Sequence, residues 1–94
     1  MTEPREKAAA PPDQAAEPRD EPVLVDNRGM TCAQGILRLM RTLMPLPPGQ
    51  LVRVVSTDQA AEEDYPAWCR NTGNPFLRHE YDSGLIITFL HKRA

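Results

Sequence analysis

Alternating apolar and polar positions divide the chain from residue 23 onward into short segments. Val-Leu-Val at residues 23–25 is a β-prone run that ends in the turn-forming Asp-Asn-Arg-Gly. Leu-Val-Arg-Val-Val-Ser at residues 51–56 is a second such run. Near the end of the chain, residues 75–82 and 85–93 flank Ser83-Gly84, an arrangement typical of a β-hairpin. These runs predict four strands.

A helical repeat separates the first two predicted strands. Apolar residues recur there at intervals of three and four positions, while Arg38, Arg41 and Thr42 fall on the opposite side. The spacing predicts an amphipathic helix that ends before Pro-Leu-Pro-Pro-Gly at residues 45–49. We expect its buried face to comprise Ala33, Ile36, Leu37, Met40, Leu43 and Met44.

A second helix is predicted between residues 57 and 73, as a single turn followed by a longer segment. Asp64 is its expected N-cap, Pro66 lies in its first turn and Gly73 follows its end. The element order is therefore βαβαββ. Two helices are too few to cover both faces of four strands, so we expect an α/β (α+β) two-layer sandwich with a mixed sheet and both helices on one face.

Composition separates a tail from a folded domain. Residues 1–22 are rich in Ala, Pro and acidic residues and contain no aromatic, Leu, Ile or Val residue, so we expect them to be disordered. Residues 23–94 form the predicted domain. The domain has seven acidic and eight basic residues, a balance that argues against nucleic acid or an anionic membrane as a partner.

The chain has no apolar run long enough for a signal peptide or a membrane span, so we expect a cytoplasmic protein. We also expect a monomer. In a reducing compartment its two cysteines should be free thiols rather than a disulfide.

Cys32 stands at the predicted start of the first helix. Thr31 and Gln34 fit a capping box around it, so Cys32 would occupy the first helical position. Unsatisfied amides and the helix dipole favour a thiolate there and could hold an anion, and Arg28 would add positive potential. The alternative is that Cys32 is a small apolar residue that closes the helix against the sheet.

The remaining candidates are weaker. Cys69 lies in mid-helix beside Trp68 and is predicted to be a core thiol. His79 and His91 lie in the hairpin strands, and their spacing matches no metal-ligand motif, so we expect no metal site. Arg38 and Arg41 are either a solvated helix face or a docking patch for an acidic partner.

Two blocks of the sequence resemble the TusA/SirA-like sulfur-carrier family over nearly all of residues 23–93. In the first block, Val-Asp-Asn-Arg-Gly-Met-Thr-Cys, the matching residues are Asp26, Arg28, Gly29 and Cys32. In the second block, residues 47–74, the matching residues are Gly49, Asp58, Asp64, Pro66, Cys69 and Gly73.

The resemblance implies a sulfurtransferase whose first-helix cysteine, Cys32, carries a persulfide. The donor would be a cysteine desulfurase or rhodanese, and the acceptor another protein. Family members serve tRNA thiolation, molybdenum-cofactor metabolism or sulfur oxidation, and no metal or organic cofactor is implied. The supporting residues would be Asp26, Arg28, Gly29, Thr31 and Gln34.

The chain departs from the family at the hallmark Cys-Pro-x-Pro, which here reads Cys-Ala-Gln-Gly at residues 32–35. Glycine in a helix costs about 1 kcal/mol relative to alanine, so Gly35→Ala should stabilise the domain if the first turn is loose. Strong destabilisation would instead mean that Gly35 has no room for a β-carbon. The departure leaves two alternatives to sulfur transfer: a non-catalytic interaction or regulatory domain of the same fold, and, less favoured for a nearly neutral domain, RNA binding.

Overall fold

The computed structural model describes residues 21–94, so residues 1–20 of the expected tail lie outside it. The bounds of the elements are β1 (Val23–Asn27), α1 (Cys32–Leu43), β2 (Leu51–Ser56), α2 (Ala61–Thr72), β3 (Phe76–Asp82) and β4 (Leu85–His91). The strands lie in the order β1-β2-β4-β3. β1 and β2 are parallel and the other neighbours are antiparallel, which confirms the predicted mixed α/β fold.

Both helices cover the same face of the sheet. One cluster of buried side chains joins the helices to the strands, and its members include Val52, Val54, Ile86 and Leu90 from the sheet, Leu39 and Leu43 from α1, and Tyr65 and Cys69 from α2. On the opposite face the Arg78 guanidinium lies 4.2 Å from the centre of the Phe89 ring. No helix within residues 21–94 is long and apolar enough to cross a membrane.

The buried face of α1 differs from the predicted one. Cys32, Gly35, Leu39 and Leu43 are buried, whereas the expected core residues Ala33, Leu37, Met40 and Met44 are exposed. The capping box turns Cys32 inward, and the residues that follow it at helical intervals then face the sheet. α1 has more apolar residues than one face can bury, so the helix presents an exposed apolar strip, formed by Ala33, Leu37, Met40 and Met44.

The start of α2 was also predicted wrongly. α2 is one continuous helix with Ala60 at its N-cap, and Asp64 lies within its first turn. Pro66 is inside the helix, where it removes the amide that would bond to the Glu62 carbonyl. The His79 ring lies 3.1 Å from that carbonyl through Nε2, so a histidine replaces the missing donor. The predicted end is confirmed, since Gly73 is the left-handed C-cap with φ of 82°.

Lys92 holds the other end of α1. Its Nζ donates to the carbonyls of Leu43 at 2.8 Å, Leu46 at 3.2 Å and Met44 at 3.3 Å. These carbonyls lack partners within the helix, and the negative end of the helix dipole favours a cation there. α1 is therefore fixed at both ends, by its capping box and by Lys92.

Candidate functional site

Cys32 is the first residue of α1, as predicted. Thr31 is the N-cap, and its hydroxyl accepts from the Gln34 amide at 3.2 Å. The Gln34 side chain accepts in return from the Thr31 amide at 3.0 Å. This reciprocal pair confirms the capping box, which fixes where the helix starts and which way the cysteine faces.

Asp58 links the starts of the two helices. Its Oδ2 accepts from the Cys32 amide at 2.9 Å, and its Oδ1 accepts from the Ala60 amide at 3.0 Å. The sequence marked Asp58 only as part of a family pattern, because this contact spans 26 residues that local reasoning cannot bridge. The Cys32 amide is thus already bonded to a carboxylate, which corrects the expectation that the first-turn amides are all free to hold an anion on sulfur.

The thiol of Cys32 is buried, with 6% of the residue exposed. Burial, together with the nearby carboxylates of Asp64 and Asp58, raises the pKa of Cys32 to about 12. The raised pKa disfavours a thiolate at rest, and the burial agrees with the alternative interpretation of Cys32 as a small residue that closes the helix against the sheet. The sequence alone placed neither of these carboxylates beside the sulfur.

The turn before α1 is held by side chains that the sequence singled out. Arg28 binds the Asp26 carboxylate through Nε and Nη2, each at 2.8 Å, and lowers the pKa of Asp26 to about 2. The pair is more than half exposed and leaves little net charge to act on the thiol. Gly29 adopts φ of 79° and donates its amide to the Thr57 hydroxyl at 2.9 Å. These contacts set the path from β1 to Cys32.

Gly35 lies against two polar side chains. A β-carbon there would be 2.6 Å from the Tyr65 hydroxyl oxygen and 2.7 Å from Asn27 Nδ2. The Gly35 carbonyl also accepts from Asn27 Nδ2 at 3.0 Å. We therefore expect Gly35→Ala to destabilise the domain, because α1 approaches its neighbours too closely here for a side chain.

The other cysteine lies in the core. Cys69 is 2% exposed, and burial raises its pKa to about 11. His79 bonds to Thr88 and to the Glu62 carbonyl. Within residues 21–94 there is no group of three side chains that could hold a metal ion.

Arg38 and Arg41 lie on the exposed side of α1. Together with Met30, Gln34 and Leu37 they line a shallow groove that begins within one turn of Cys32. The groove runs beside the exposed apolar strip of the same helix. The helix that starts with Cys32 thus presents both apolar and cationic side chains to solvent.

Comparison with known proteins identifies the family of the chain. The family model described as sulfurtransferase TusA matches residues 23–92. The sulfur carrier protein TusA of Pseudomonas putida is 27% identical over 71 residues, which cover 76% of this chain and 89% of the relative. The sulfur carrier protein TusA of Pseudomonas aeruginosa is 25% identical over 71 residues, which cover 76% of this chain and 90% of the relative. Because the family match runs from β1 through Cys32 to the end of β4, the chain belongs to the sulfurtransferase TusA family.

Proposed function

We propose that this chain is a sulfur carrier that holds sulfane sulfur as a persulfide on Cys32. The observation that carries the proposal is the contrast between its two cysteines. Both side chains are buried, but Cys32 begins a helix directly after an exposed turn, whereas Cys69 lies in the middle of a helix. Both cysteines are free thiols, so neither is blocked by a disulfide. We place this relay in the cytoplasm, where thiols stay reduced.

The transfer step is an exchange at divalent sulfur. The Cys32 sulfur, after losing its proton, attacks the terminal sulfur of a persulfide on the donor protein. A bond forms between Cys32 and that terminal sulfur while the bond to the donor cysteine breaks. The donor leaves as a thiolate and takes up a proton, so no external oxidant or reductant is needed. The same step in reverse passes the sulfur to an acceptor.

The raised pKa of Cys32 gives the resting carrier a protonated thiol. A protonated thiol is a poor nucleophile, so the free protein is protected against small oxidants and alkylating agents. We infer that a docked partner activates the cysteine by exposing the sulfur or by pairing with the Asp64 carboxylate. Activation would then depend on the correct partner.

The docking surface we propose is the exposed side of α1. Arg38 and Arg41 supply positive charge, and the apolar strip supplies contact area next to Cys32. Such a surface suits an acidic patch around the donor's persulfide, on a cysteine desulfurase or a rhodanese. Acceptors would use the same surface in turn.

The test is loading by a donor. Wild type, Cys69→Ala and Cys32→Ser are incubated with a cysteine desulfurase and cysteine, or with a rhodanese and thiosulfate, and their intact masses are measured. We expect wild type and Cys69→Ala to gain the mass of one sulfur atom, which dithiothreitol removes, and Cys32→Ser to gain none. Absence of loading from every donor would instead support the non-catalytic interaction domain.

A further inference from the structure

A buried polar network lies beneath the first turn of α1. Asn27 at the end of β1 donates through Nδ2 to the Tyr65 hydroxyl at 3.0 Å, and Ser56 at the end of β2 donates to the same hydroxyl at 3.2 Å. Asn27 and Tyr65 are 1% exposed and Ser56 is 2% exposed. Side chains from β1, β2 and α2 therefore meet at the Tyr65 hydroxyl oxygen, in a place where apolar side chains would ordinarily pack.

The network contacts the backbone of the turn that carries Cys32. Asn27 Nδ2 donates to the Gly35 carbonyl at 3.0 Å, and the Gly35 amide donates to the Thr31 carbonyl at 2.9 Å. Gly35 and Cys32 lie one turn apart on the same buried face of the helix. A displacement of Asn27 or of the Tyr65 hydroxyl would move this turn and the cysteine with it.

The cost of the network indicates that stability alone does not account for it. Both hydrogens of the Asn27 amide are used, toward Gly35 and Tyr65, which fixes the orientation of the side chain. Its Oδ1 is buried and has no hydrogen-bond partner within residues 21–94. A buried acceptor without a partner costs free energy, and departures of this kind tend to occur at functional positions.

We propose that Asn27 and Tyr65 are positioning residues for Cys32, holding the first turn of α1 so that its sulfur meets the persulfide of a docked partner in line. The inference rests on the proposed sulfur transfer and adds the residues that orient its nucleophile. Exchange at sulfur requires the attacking atom to approach along the S–S bond, so a small displacement of the turn slows the reaction.

The experiment removes the hydroxyl oxygen of Tyr65. In a Cys69→Ala background, which leaves Cys32 as the only thiol, Tyr65→Phe is compared with Tyr81→Phe, whose hydroxyl bonds to Glu62 on the protein surface. Two rates are measured: alkylation of Cys32 by iodoacetamide and sulfur loading by the protein donor. We expect Tyr65→Phe to raise the alkylation rate about fivefold, because the first turn opens more often, and to lower the loading rate by a similar factor. Tyr81→Phe should change neither rate.

Lys92→Met serves as the control for general destabilisation, because it weakens the far end of the same helix. If Lys92→Met shifts both rates as Tyr65→Phe does, or if Tyr65→Phe leaves both unchanged, the positioning role is overturned. Should Tyr65→Phe fail to fold, Ser56→Ala removes one hydrogen bond to the same hydroxyl and should shift both rates in the same directions. If wild type accepts no sulfur, the proposed function fails, and the alkylation rates still decide whether the network holds the turn.

Discussion

At the scale of single residues, the state of the Cys32 thiol depends on the charges around it. Burial is the main cause of its raised pKa, and the carboxylate of Asp64 follows. Replacing Asp64 by Asn removes one of the negative charges that oppose ionisation. At any pH below the pKa, a lower pKa means a larger thiolate fraction.

We therefore predict that Asp64→Asn raises the rate at which iodoacetamide alkylates Cys32 at mildly alkaline pH, in a Cys69→Ala background. The rate profile should also move to lower pH. Glu63→Gln is the matched control, because it neutralises the neighbouring acid of the same helical turn, which is not among the causes of the raised pKa. An equal acceleration in both variants, or none in Asp64→Asn, would show that this carboxylate does not govern the thiol.

Gly35 permits a direct test of packing. Gly35→Ala should lower the free energy of unfolding by about 1–3 kcal/mol, because the new methyl group overlaps Tyr65 and Asn27. Urea denaturation measures the change. Arg38→Ala, at an exposed position of the same helix, should stay within about 0.5 kcal/mol of wild type. A stabilised Gly35→Ala would mean that the neighbouring side chains can move aside.

Residue-scale predictions from sequence succeeded where the contacts were local. Thr31 and Gln34 are close in sequence, so their capping box could be identified from their spacing. The partners of the Cys32 amide and of Gly35 come from β1, α2 and the loop before α2. One sequence contains no signal for such distant contacts, which is why it could not decide between the two interpretations of Cys32 or between the two outcomes for Gly35→Ala.

At the scale of elements, our proposal assigns docking to α1, which begins with Cys32 and carries the exposed apolar strip. Arg38→Glu should lower the rate of sulfur loading by an acidic donor severalfold, because it replaces attraction by repulsion at the docking surface. Added salt screens the charges and should bring the loading rates of Arg38→Glu and wild type closer together. Arg70→Glu, on the exposed side of α2, is the matched charge reversal and should load at the wild-type rate. Equal losses in both variants would point to net charge rather than to a docking site on α1.

The far end of α1 has its own test. Lys92→Met should lower the free energy of unfolding by about 1–2 kcal/mol, because three carbonyl contacts of the ammonium are lost. Thermal or urea denaturation measures the change. Arg41→Met removes another cation from the last turn and should cost less than about 0.5 kcal/mol. If the two variants lose the same stability, the carbonyl contacts of Lys92 add nothing beyond its charge.

The sequence predicted the existence of every element but not how each helix is placed. Periodicity predicted the buried face of α1 only in part: Leu43 is buried and Ile36 packs against the core, but Leu37, Met40 and Met44 are apolar yet exposed. Capping preferences placed the start of α2 at Asp64, whereas the helix begins before it, beside the carboxylate of Asp58. The exposure of apolar side chains depends on tertiary structure, which local pattern rules cannot include, whereas the contact between Asp58 and the Ala60 amide is local and its signal was overlooked.

At the scale of the whole molecule, both cysteines are buried, Cys32 at the first position of α1 and Cys69 in the middle of α2. β1 and β2 are parallel, so their C-terminal ends lie at the same edge of the sheet. There Asn27 donates to the Gly35 carbonyl of α1 and to the Tyr65 hydroxyl, and Ser56 donates to the same hydroxyl. The placement of both helices on one face followed from the order of the elements, because so few helices can cover only one face, whereas the strand order comes from the structure. The family match over residues 23–92 agrees with it.

The central claim is that Cys32 alone carries transferable sulfur, and cyanide tests it most directly. Wild type, Cys69→Ala and Cys32→Ser are loaded by a protein donor, separated from it and treated with cyanide, which removes the terminal sulfur of a persulfide as thiocyanate. We predict one equivalent of thiocyanate per chain from wild type and from Cys69→Ala, and none from Cys32→Ser. Thiocyanate released from Cys32→Ser in the same amount, and lost from Cys69→Ala, would contradict the account and assign the sulfur to Cys69.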